Sequence, residues 1–343
     1  MPLLDHHDPQ GDVAGAAPAP RRPPAANDPA IHPLAPTVFH EAWWLDVVTR
    51  GSWQAAQAHH EGRRVGFLPY VLSRRRGFPA SVMPMLTHLL GPVVDEGEGA
   101  PKTRWLRRQG ILDDLIAQLP RVALFSQTCH PETTDVLAFQ ARGYESFVQF
   151  TAEIAPDAEA VLWSQLRDKT RNVIRRAQEQ CTVDALADPQ EFARFYAANL
   201  ALAHEHSYVD VTLFAPLFEA AAARRQVRLL GARAGDGRLL AAVFYVWDRR
   251  RLWYFLSSRD ARAASNGVVS LLVWRGIQMA AERRLVFDFD GIASEGAARF
   301  YSGFGPQLRP RFAVYRRSIP FALCTSALDA MRGRSNRNPF TAP

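Results

Sequence analysis

The chain has 343 residues, of which 48% are hydrophobic, 10% aromatic and 22% charged, and this length is enough for two domains with separate cores. These values exclude a collagen-like fibre and a wholly disordered chain, and no apolar run reaches the roughly 18–20 uncharged residues of a membrane span. The net charge of +7 is carried almost entirely by arginine. It suits phosphate-bearing ligands, an anionic membrane face or simply a soluble surface.

The chain ends and the cysteines limit the class of protein further. The Pro- and Ala-rich residues 1–36 predict a disordered tail, and residues 319–343 a second tail. Cys129, Cys181 and Cys324 are odd in number and lack metal-site spacing, so we expect neither a disulfide framework nor a metal site. No charged start followed by an apolar stretch marks a signal peptide, and a cytoplasmic location is therefore expected.

The block of residues 37–150 alternates predicted strands with predicted helices. Apolar residues at helical spacing predict helices, and short apolar runs beside turn residues predict strands. The predicted elements, in chain order, are a helix (38–48), two strands (53–58 and 64–72), a helix (105–119), a strand (121–126) and a helix (133–142). This order favours an α/β layer architecture.

The block of residues 151–318 begins with helices and continues with strands. Three helices are predicted first (157–180, 189–203 and 212–225), the second of them capped by Asp188. Three strands joined by hairpin turns follow (227–234, 239–247 and 251–257), then a helix (267–283), a strand (285–290), a short helix (297–303) and a strand (312–316). Both blocks are therefore predicted to be mixed sheets flanked by helices.

The junction from Arg262 to Gly267 is the first candidate binding segment, because it follows a predicted strand and opens a predicted helix. Free N–H groups and the dipole at a helix N-terminus suit a phosphate or pyrophosphate. Arg262 would add a charge-assisted contact, and Ser265, Asn266 and Gly267 are small enough for close approach of a ligand. A capped helix start without a ligand is the alternative interpretation.

Two segments carry groups suited to acid–base chemistry. Strand alternation places Asp288 and Asp290 on one face, where they would act as a base, hold an amine or pair with arginines. Tyr301, at the end of a short predicted helix, offers a phenol as a general acid. The alternative is a packing residue whose hydroxyl group is exposed to water.

A basic helix and a loop supply candidate substrate contacts. Lys169, Arg171, Asn172 and Arg175 would face an anionic substrate, or form a solvated helix face. Tyr208 lies in a loop after a predicted helix, next to His204-Glu205-His206. Residues two apart do not share a helix face, so this loop predicts a substrate contact and no metal site.

Together these segments resemble the FemAB-like branch of the GNAT acyltransferase superfamily, over roughly residues 37–318. The resemblance is carried, in order, by Phe39-His-Glu-Ala-Trp-Trp-Leu45, Gly66-Phe-Leu-Pro-Tyr70, Met83-Pro-Met-Leu-Thr87 with Gly91-Pro92, Lys169–Ala177, Phe287–Gly291 and Arg299–Gly305. It implies two tandem GNAT-like α/β domains, residues 37–150 and 151–318, with most of the site in the second.

The resemblance also implies roles for the candidate residues. Arg262–Gly267 is similar to the family's coenzyme A pyrophosphate turn, with Ser265 in place of the first glycine. Tyr301 matches the tyrosine that protonates the leaving thiolate. The implied reaction moves an acyl group, with acetyl expected, from acetyl-CoA or another acyl-CoA co-substrate to an amine on a small molecule or glycan precursor. A nucleotide sugar or a surface-polysaccharide precursor is the expected acceptor, and peripheral membrane contact is compatible with it.

Two alternatives stay open at this point. The first is aminoacyl transfer from tRNA to a cell-wall precursor, which is the one case in which we expect nucleic acid to bind. The family's tRNA-dependent members carry a Phe-Lys pair where this chain has Phe300-Tyr301, and the change removes a cation that would stabilise developing negative charge. The second alternative is a GNAT-fold binding protein without catalytic activity.

Overall fold

The computed structural model describes residues 34–202, 209–262 and 267–331. The described residues form two compact units: residues 34–149 with 310–331, which we call the first unit, and residues 150–309, which we call the second unit. None of the described helices is both long and apolar enough to span a bilayer.

The helices and strands have the following bounds. The helices are α1 (Ala42–Thr49), α2 (Pro101–Ala117), α3 (Leu137–Ala141), α4 (Glu159–Gln165), α5 (Asp168–Gln180), α6 (Pro189–Leu202), α7 (Phe214–Ala222), α8 (Val268–Glu282), α9 (Glu295–Tyr301) and α10 (Ile319–Met331). The strands are β1 (Trp53–His60), β2 (Arg63–Val71), β3 (Ser73–Arg75), β4 (Phe78–Ser81), β5 (Val93–Val94), β6 (Leu124–Thr128), β7 (Glu145–Ile154), β8 (Cys181–Ala185), β9 (Val227–Ala234), β10 (Leu239–Trp247), β11 (Arg251–Arg259), β12 (Val286–Asp288) and β13 (Gln307–Arg317).

The first unit contains a three-stranded sheet, a helix that covers it and four strands of a larger sheet. Strands β1, β2 and β5 pair antiparallel, and strands β3, β4, β6 and β13 are neighbours in that order in the larger sheet. Helix α2 lies close to β2 because Gly66 has no side chain: a Cβ there would come within 2.6 Å of Ile111. Burial of Ile111, Leu112 and Leu115 then supplies the core under this sheet.

Two histidines are buried side by side in the first unit. His40 is 0% exposed and His130 6%, and their ring centroids are 5.3 Å apart. His130 Nε2 donates to the carbonyl of Pro92 (2.9 Å), and His40 Nδ1 lies 2.8 Å from the hydroxyl of Thr37. Burial, and then the charge of His130, hold the pKa of His40 well below its ordinary value, so His40 is neutral in the folded chain.

We expect this buried histidine to destabilise the protein in acid. In the folded chain the pKa of His40 is lowered, so below about pH 6.5 the unfolded chain binds a proton that the folded chain does not. The free energy of unfolding should therefore fall with falling pH, by up to about 1.4 kcal/mol per pH unit from this group. Urea unfolding of the protein and of His40→Gln at pH 7.5 and 5.5 measures the difference. Equal losses in both proteins would contradict the assignment.

The second unit is built on a mixed sheet with the strand order β7-β12-β11-β10-β9-β8. Strand β10 is buried along almost its whole length, as expected for a central strand covered on both faces. Strands β8 to β11 pair antiparallel, whereas β11 and β12 are parallel and are connected by α8. Helix α8 packs closely on the sheet at Gly276, where a Cβ would lie 2.6 Å from Tyr245.

Several predicted elements are confirmed and a few are wrong. Strands β1, β2, β9, β10 and β11 and helix α8 lie where the patterns predict them. The single helix predicted over 157–180 is two helices, because Leu166 has an extended backbone (φ −66°, ψ 142°). Strands β7 and β8 were not predicted. Residues 319–331 were assigned to the C-terminal tail but form α10, in which Phe321 packs edge-on against Phe78 at 5.7 Å.

Candidate active site

The parallel strands β11 and β12 separate partway along β11. Their register ends at Trp253–Asp288, whereas β11 continues beside β10 as far as Arg259. After Asp288 the chain stays with β7, because Phe289 N–H donates to the carbonyl of Ala152 (3.0 Å). A gap therefore opens between the carboxyl end of β11 and the segment after β12. Ligands bind α/β sheets at this kind of position, beyond the carboxyl ends of parallel strands.

Asp288 holds the turn that follows β12. Its side chain is 0% exposed, and its Oδ1 accepts hydrogen bonds from Thr151 Oγ1 (2.5 Å) and from the N–H of Asp290 (2.8 Å). The N–H of Gly291 donates to the same Thr151 hydroxyl (3.0 Å). This carboxylate thus bonds to β7 and to the backbone of the turn, and it lies 4.0 Å from Arg251 of β11. We expect it to position the turn, whereas strand alternation suggested a base.

Asp290 lies in the turn itself and differs from the prediction in its geometry. Strand β12 ends at Asp288, so the two carboxylates do not share a strand face. The backbone of Asp290 is left-handed (φ +63°), a conformation that Asp tolerates better than most residues but that costs energy. The turn leaves Asp290 half-buried and close enough to Tyr301 to influence the pKa of its phenol.

A cluster of charges lies next to the turn, and all of its side chains except that of the exposed Arg309 are buried or nearly so. Arg251 Nε is 3.4 Å from Glu153 Oε1 and 4.0 Å from Asp288 Oδ2, and Arg309 Nε is 3.6 Å from Glu153 Oε2. Burial, and then the neighbouring charge of Asp288, raise the pKa of Glu153, while the two arginines oppose this shift. This cluster was not predicted from the sequence, because β7 was not predicted; the β-branched and aromatic residues of 147–154 were the available signal.

Tyr301 lies where β11 and β12 separate. Its ring stacks on Phe289, with centroids 4.3 Å apart, and meets Tyr254 of β11 edge-on at 6.4 Å. Burial raises the pKa of the Tyr301 phenol, and the charges of Tyr254, Asp290 and Asp288 raise it further. The phenol is therefore protonated at neutral pH and can donate a hydrogen bond.

Helix α9 brings Tyr301 next to the start of the basic helix α5. The hydroxyl of Ser294 caps α9 by accepting from the N–H of Ala297 (3.1 Å). Just after α9, a Cβ on Gly303 would lie 2.5 Å from Thr170 Oγ1, and the Gly303 carbonyl accepts from the N–H of Arg167 (3.0 Å). The absence of a side chain at position 303 therefore allows α5 and the segment that follows Tyr301 to touch.

The predicted substrate contacts of α5 divide into two groups, and Arg171 forms the first. Its guanidinium donates to the carbonyls of Leu166 (2.7 Å) and Ser164 (3.1 Å) and pairs with Asp168. These carbonyls belong to the end of α4 and the residue after it, where helices lack internal partners. Arg171 thus stabilises the break between α4 and α5.

The other predicted substrate contacts of α5 lie on its surface. Lys169, Asn172 and Arg175 are exposed. Arg175 lies over the ring of Trp163, with its guanidinium carbon 5.5 Å from the ring centroid, and it donates to Asn172 Oδ1 (3.4 Å). These three side chains are available to an anionic ligand.

The start of α8 supplies the candidate phosphate site. Arg262 is exposed, and its N–H donates to Asp260 Oδ1 (2.9 Å). Gly267 precedes the helix with a left-handed backbone (φ +78°), and a Cβ on it would lie 2.6 Å from the carbonyl oxygen of Val173 on α5. Ser265 and Asn266, like Tyr208, lie outside the described residues. Gly267 is thus required by the packing of α5 against α8, whatever α8 binds.

We expect Gly267→Ala to lower the free energy of unfolding by about 2 kcal/mol, because both the left-handed backbone and the contact with Val173 oppose a Cβ. For the second unit, residues 150–309, the melting temperature should fall by roughly 4–8 °C. Gly235→Ala is the matched control, since a Cβ there meets open space. Thermal melts of the two variants measure the effect, and equal melting temperatures would contradict the role assigned to Gly267.

A comparison with protein families finds a match inside the second unit. Residues 164–300 match the family model described as an acetyltransferase (GNAT) domain. The search of curated proteins finds no match. Among solved structures, FemX is similar with a TM-score of 0.61 and 12% identity, over 86% of this chain and 94% of that chain.

Two further structures share the fold. One is the C-terminal (DUF2156) domain of a protein from Agrobacterium fabrum described as a lysylphosphatidylglycerol synthetase, with a TM-score of 0.54 and 17% identity over 83% of this chain and 90% of that one. The other is a conserved protein of unknown function from Bacteroides thetaiotaomicron, with a TM-score of 0.51 and 11% identity over 79% and 91%.

Residues 164–300 of the second unit thus carry a GNAT-type acetyltransferase domain, which is an acyl-group transferase of the α/β class. The likeness to FemX, at 12% identity, is one of fold. The predicted fold class of tandem GNAT-like α/β domains is confirmed. The predicted N-terminal tail and residues 332–343 lie outside the described residues.

Proposed function

We propose that the protein transfers an acyl group, with acetyl expected, from acyl-CoA to an amine. The observation that carries the proposal is the separation of β11 from β12 beside Tyr301. It provides strand N–H groups for a thioester carbonyl on one side and a protonated phenol for the departing sulfur on the other.

The donor would occupy the second unit between this gap and the start of α8. Arg262, Ser265, Asn266 and Gly267 would hold the pyrophosphate, with the N–H groups that begin α8 completing the contact. The left-handed Gly267 allows the chain to turn sharply into the helix, which is compatible with a phosphate at that end. An acyl-CoA donor and three free cysteines both suit a cytoplasmic setting.

The chemistry is direct transfer. The amine nitrogen attacks the thioester carbonyl carbon, and the N–H groups of β11 stabilise the oxyanion. Asp290 orients the amine and takes its proton. The C–S bond then breaks, Tyr301 protonates the sulfur, and Asp290 returns the amine proton to the Tyr301 oxygen. The products are an amide and free coenzyme A, and both side chains regain their starting protonation.

The acceptor side of the proposal rests on α5. Lys169, Asn172 and Arg175 are exposed on the helix that touches the segment after Tyr301. The charge of Lys169 and Arg175 would favour an anionic acceptor that bears an amine, such as a nucleotide sugar or a surface-polysaccharide precursor. Arg171 is less suited to this role because its guanidinium already binds the end of α4.

A second candidate function is aminoacyl transfer from tRNA. It is favoured by the shared fold of FemX and of the protein described as a lysylphosphatidylglycerol synthetase, and by the exposed cations of α5. An RNA donor would bind with a steep dependence on salt, which separates it from a small acyl-CoA.

Calorimetric titration tests the proposal. Acetyl-CoA is titrated into the protein, into Arg262→Ala and into Arg275→Ala. Arg275 is the control, because it lies in the middle of α8 and its guanidinium donates a hydrogen bond to Gln278 (3.1 Å). Saturable binding that weakens about tenfold or more in Arg262→Ala alone, with thiol release on addition of an amine acceptor, supports the proposal. Binding of bulk charged tRNA without acetyl-CoA binding would overturn it in favour of aminoacyl transfer.

A further inference from the structure

The second unit contains a cleft at the other end of its sheet from Tyr301. The cleft has a volume of about 780 Å³ and is formed by the start of β9, the end of β10, the end of α7, the segment after β8 and the residues that join α8 to β12. Its apolar lining includes Leu186, Phe218, Leu229 and Leu285, of which all but Phe218 are less than 9% exposed. A cleft with a buried apolar floor is typical of small-molecule sites.

This cleft is separate from the acyl-transfer site. Arg283, immediately after the end of α8, lines it, whereas the candidate phosphate site lies at the start of α8. The helix has 15 residues, so its two ends are about 22 Å apart. No residue assigned above to donor, acceptor or proton transfer lines the cleft.

The rim of the cleft is positively charged. Arg225, Arg228 and Arg283 line it, with Asp248 as the acidic member. The carboxylate of Asp248 already accepts from the N–H groups of Arg250 (2.8 Å) and Arg251 (2.9 Å), so it is engaged in its own turn. With three arginines and one carboxylate, the rim carries a formal net charge of +2.

Arg225 and Arg228 are the cations available to a ligand. Both are exposed, and across residues 34–202, 209–262 and 267–331 neither guanidinium makes a hydrogen bond or ion pair. Arg283 is different, because it lies over the ring of Trp247 at 5.1 Å and donates to the carbonyl of Met279 (2.9 Å). It covers part of the indole and fixes the aromatic wall of the cleft.

From this combination we propose a second ligand site, which takes a small amphipathic organic anion. The carboxylate or phosphate of the ligand binds between Arg225 and Arg228, and its apolar part lies against Leu186, Phe218 and Trp247. An apolar floor alone would accept neutral molecules, and two exposed arginines alone would hold an anion weakly. The two features side by side select a ligand that carries both.

Binding of 8-anilinonaphthalene-1-sulfonate, followed by its fluorescence, tests the site. We expect saturable binding that is displaced by decanoate or decyl phosphate but not by decyltrimethylammonium or inorganic phosphate. The stronger of the two anionic competitors shows whether the site prefers a carboxylate or a phosphate. Saturating acetyl-CoA should leave the signal in place. Absence of saturable binding, or displacement by acetyl-CoA, would overturn the proposal.

Variants of the cleft locate the binding. The double variant Arg225→Gln/Arg228→Gln should weaken binding of the dye about tenfold or more. Arg224→Gln is the matched control, because Arg224 is exposed, donates to the carbonyl of Ala220 (2.9 Å) and does not line the cleft. Ala222→Trp, which fills the cleft without changing its charge, should weaken binding as well. Unchanged binding in the double variant and in Ala222→Trp would place the dye elsewhere and refute the site.

Discussion

Tyr301→Phe is expected to lower kcat for acyl transfer by about 100-fold or more, while the Kd for acetyl-CoA changes less than about twofold. The substitution removes one hydroxyl and keeps the ring, so the stack on Phe289 (4.3 Å) and the edge contact with Tyr254 are retained. What is lost is the donor beside the carboxylates, which acts on sulfur only as the C–S bond breaks. Steady-state kinetics and calorimetry separate the two quantities.

Tyr70→Phe is the matched control for this prediction, because its hydroxyl makes one hydrogen bond to Gln54 (3.0 Å) in the first unit. We expect its kcat to match that of the unmodified protein.

Burial and neighbouring negative charge raise the pKa of Tyr301, so an acid at this position stays protonated as the pH rises. The alkaline limb of the kcat profile should not begin at the ordinary tyrosine pKa of about 10. A Tyr301→Phe enzyme with normal kcat would contradict the assignment.

The two carboxylates of the turn are expected to respond to substitution in opposite ways. Asp288→Asn should lower the free energy of unfolding by about 2 kcal/mol, because it removes a fully buried charge that faces Arg251 and weakens the hydrogen bonds to Thr151 and Asp290. Asp290→Asn should change stability by less than about 0.5 kcal/mol, since Asn tolerates the same left-handed backbone. Its kcat should instead fall about 100-fold.

Urea unfolding and steady-state kinetics on both Asn variants measure this division. Thr151→Val serves as a second probe of the same contact: it deletes the hydroxyl shared by Asp288 and Gly291 and should resemble Asp288→Asn in stability. If Asp288→Asn abolished turnover at unchanged stability while Asp290→Asn left kcat intact, the roles given to the two residues would be reversed.

Those parts of the fold that depend on local patterns could be predicted from the sequence. Strands β9 to β11 are apolar runs joined by turn residues, and α8 has a continuous apolar face, so nearest neighbours in the chain define them. Strand β7 changes from exposed to buried along its length, which gives neither a clean alternation nor a continuous apolar run. Its pairing with β12 is a long-range property that no local window contains.

The candidate site, like the fold, could be predicted from the sequence only where local motifs define it. Tyr301 and Asp290 stand in motifs that the sequence displays, and the structure brings them together. The hydroxyl that shapes their surroundings belongs to Thr151, which is 137 residues from its partner Asp288. The role of Asp288 as a positioning residue depends on that distant contact, and on where β12 ends. Neither could be inferred from the spacing of two aspartates.

The contacts of Arg171 make the choice of arginine at this position depend on the residues that precede it, 164–168. Its planar guanidinium reaches the carbonyls of Leu166 and Ser164 and the carboxylate of Asp168 at once, and a lysine ammonium, which is a compact point charge, does not reproduce that fork. Among homologues that keep a break between α4 and α5, we therefore expect arginine to be retained at position 171. Where arginine is lost, we expect residues 164–168 to change with it, toward either an uninterrupted helix or a different helix stop.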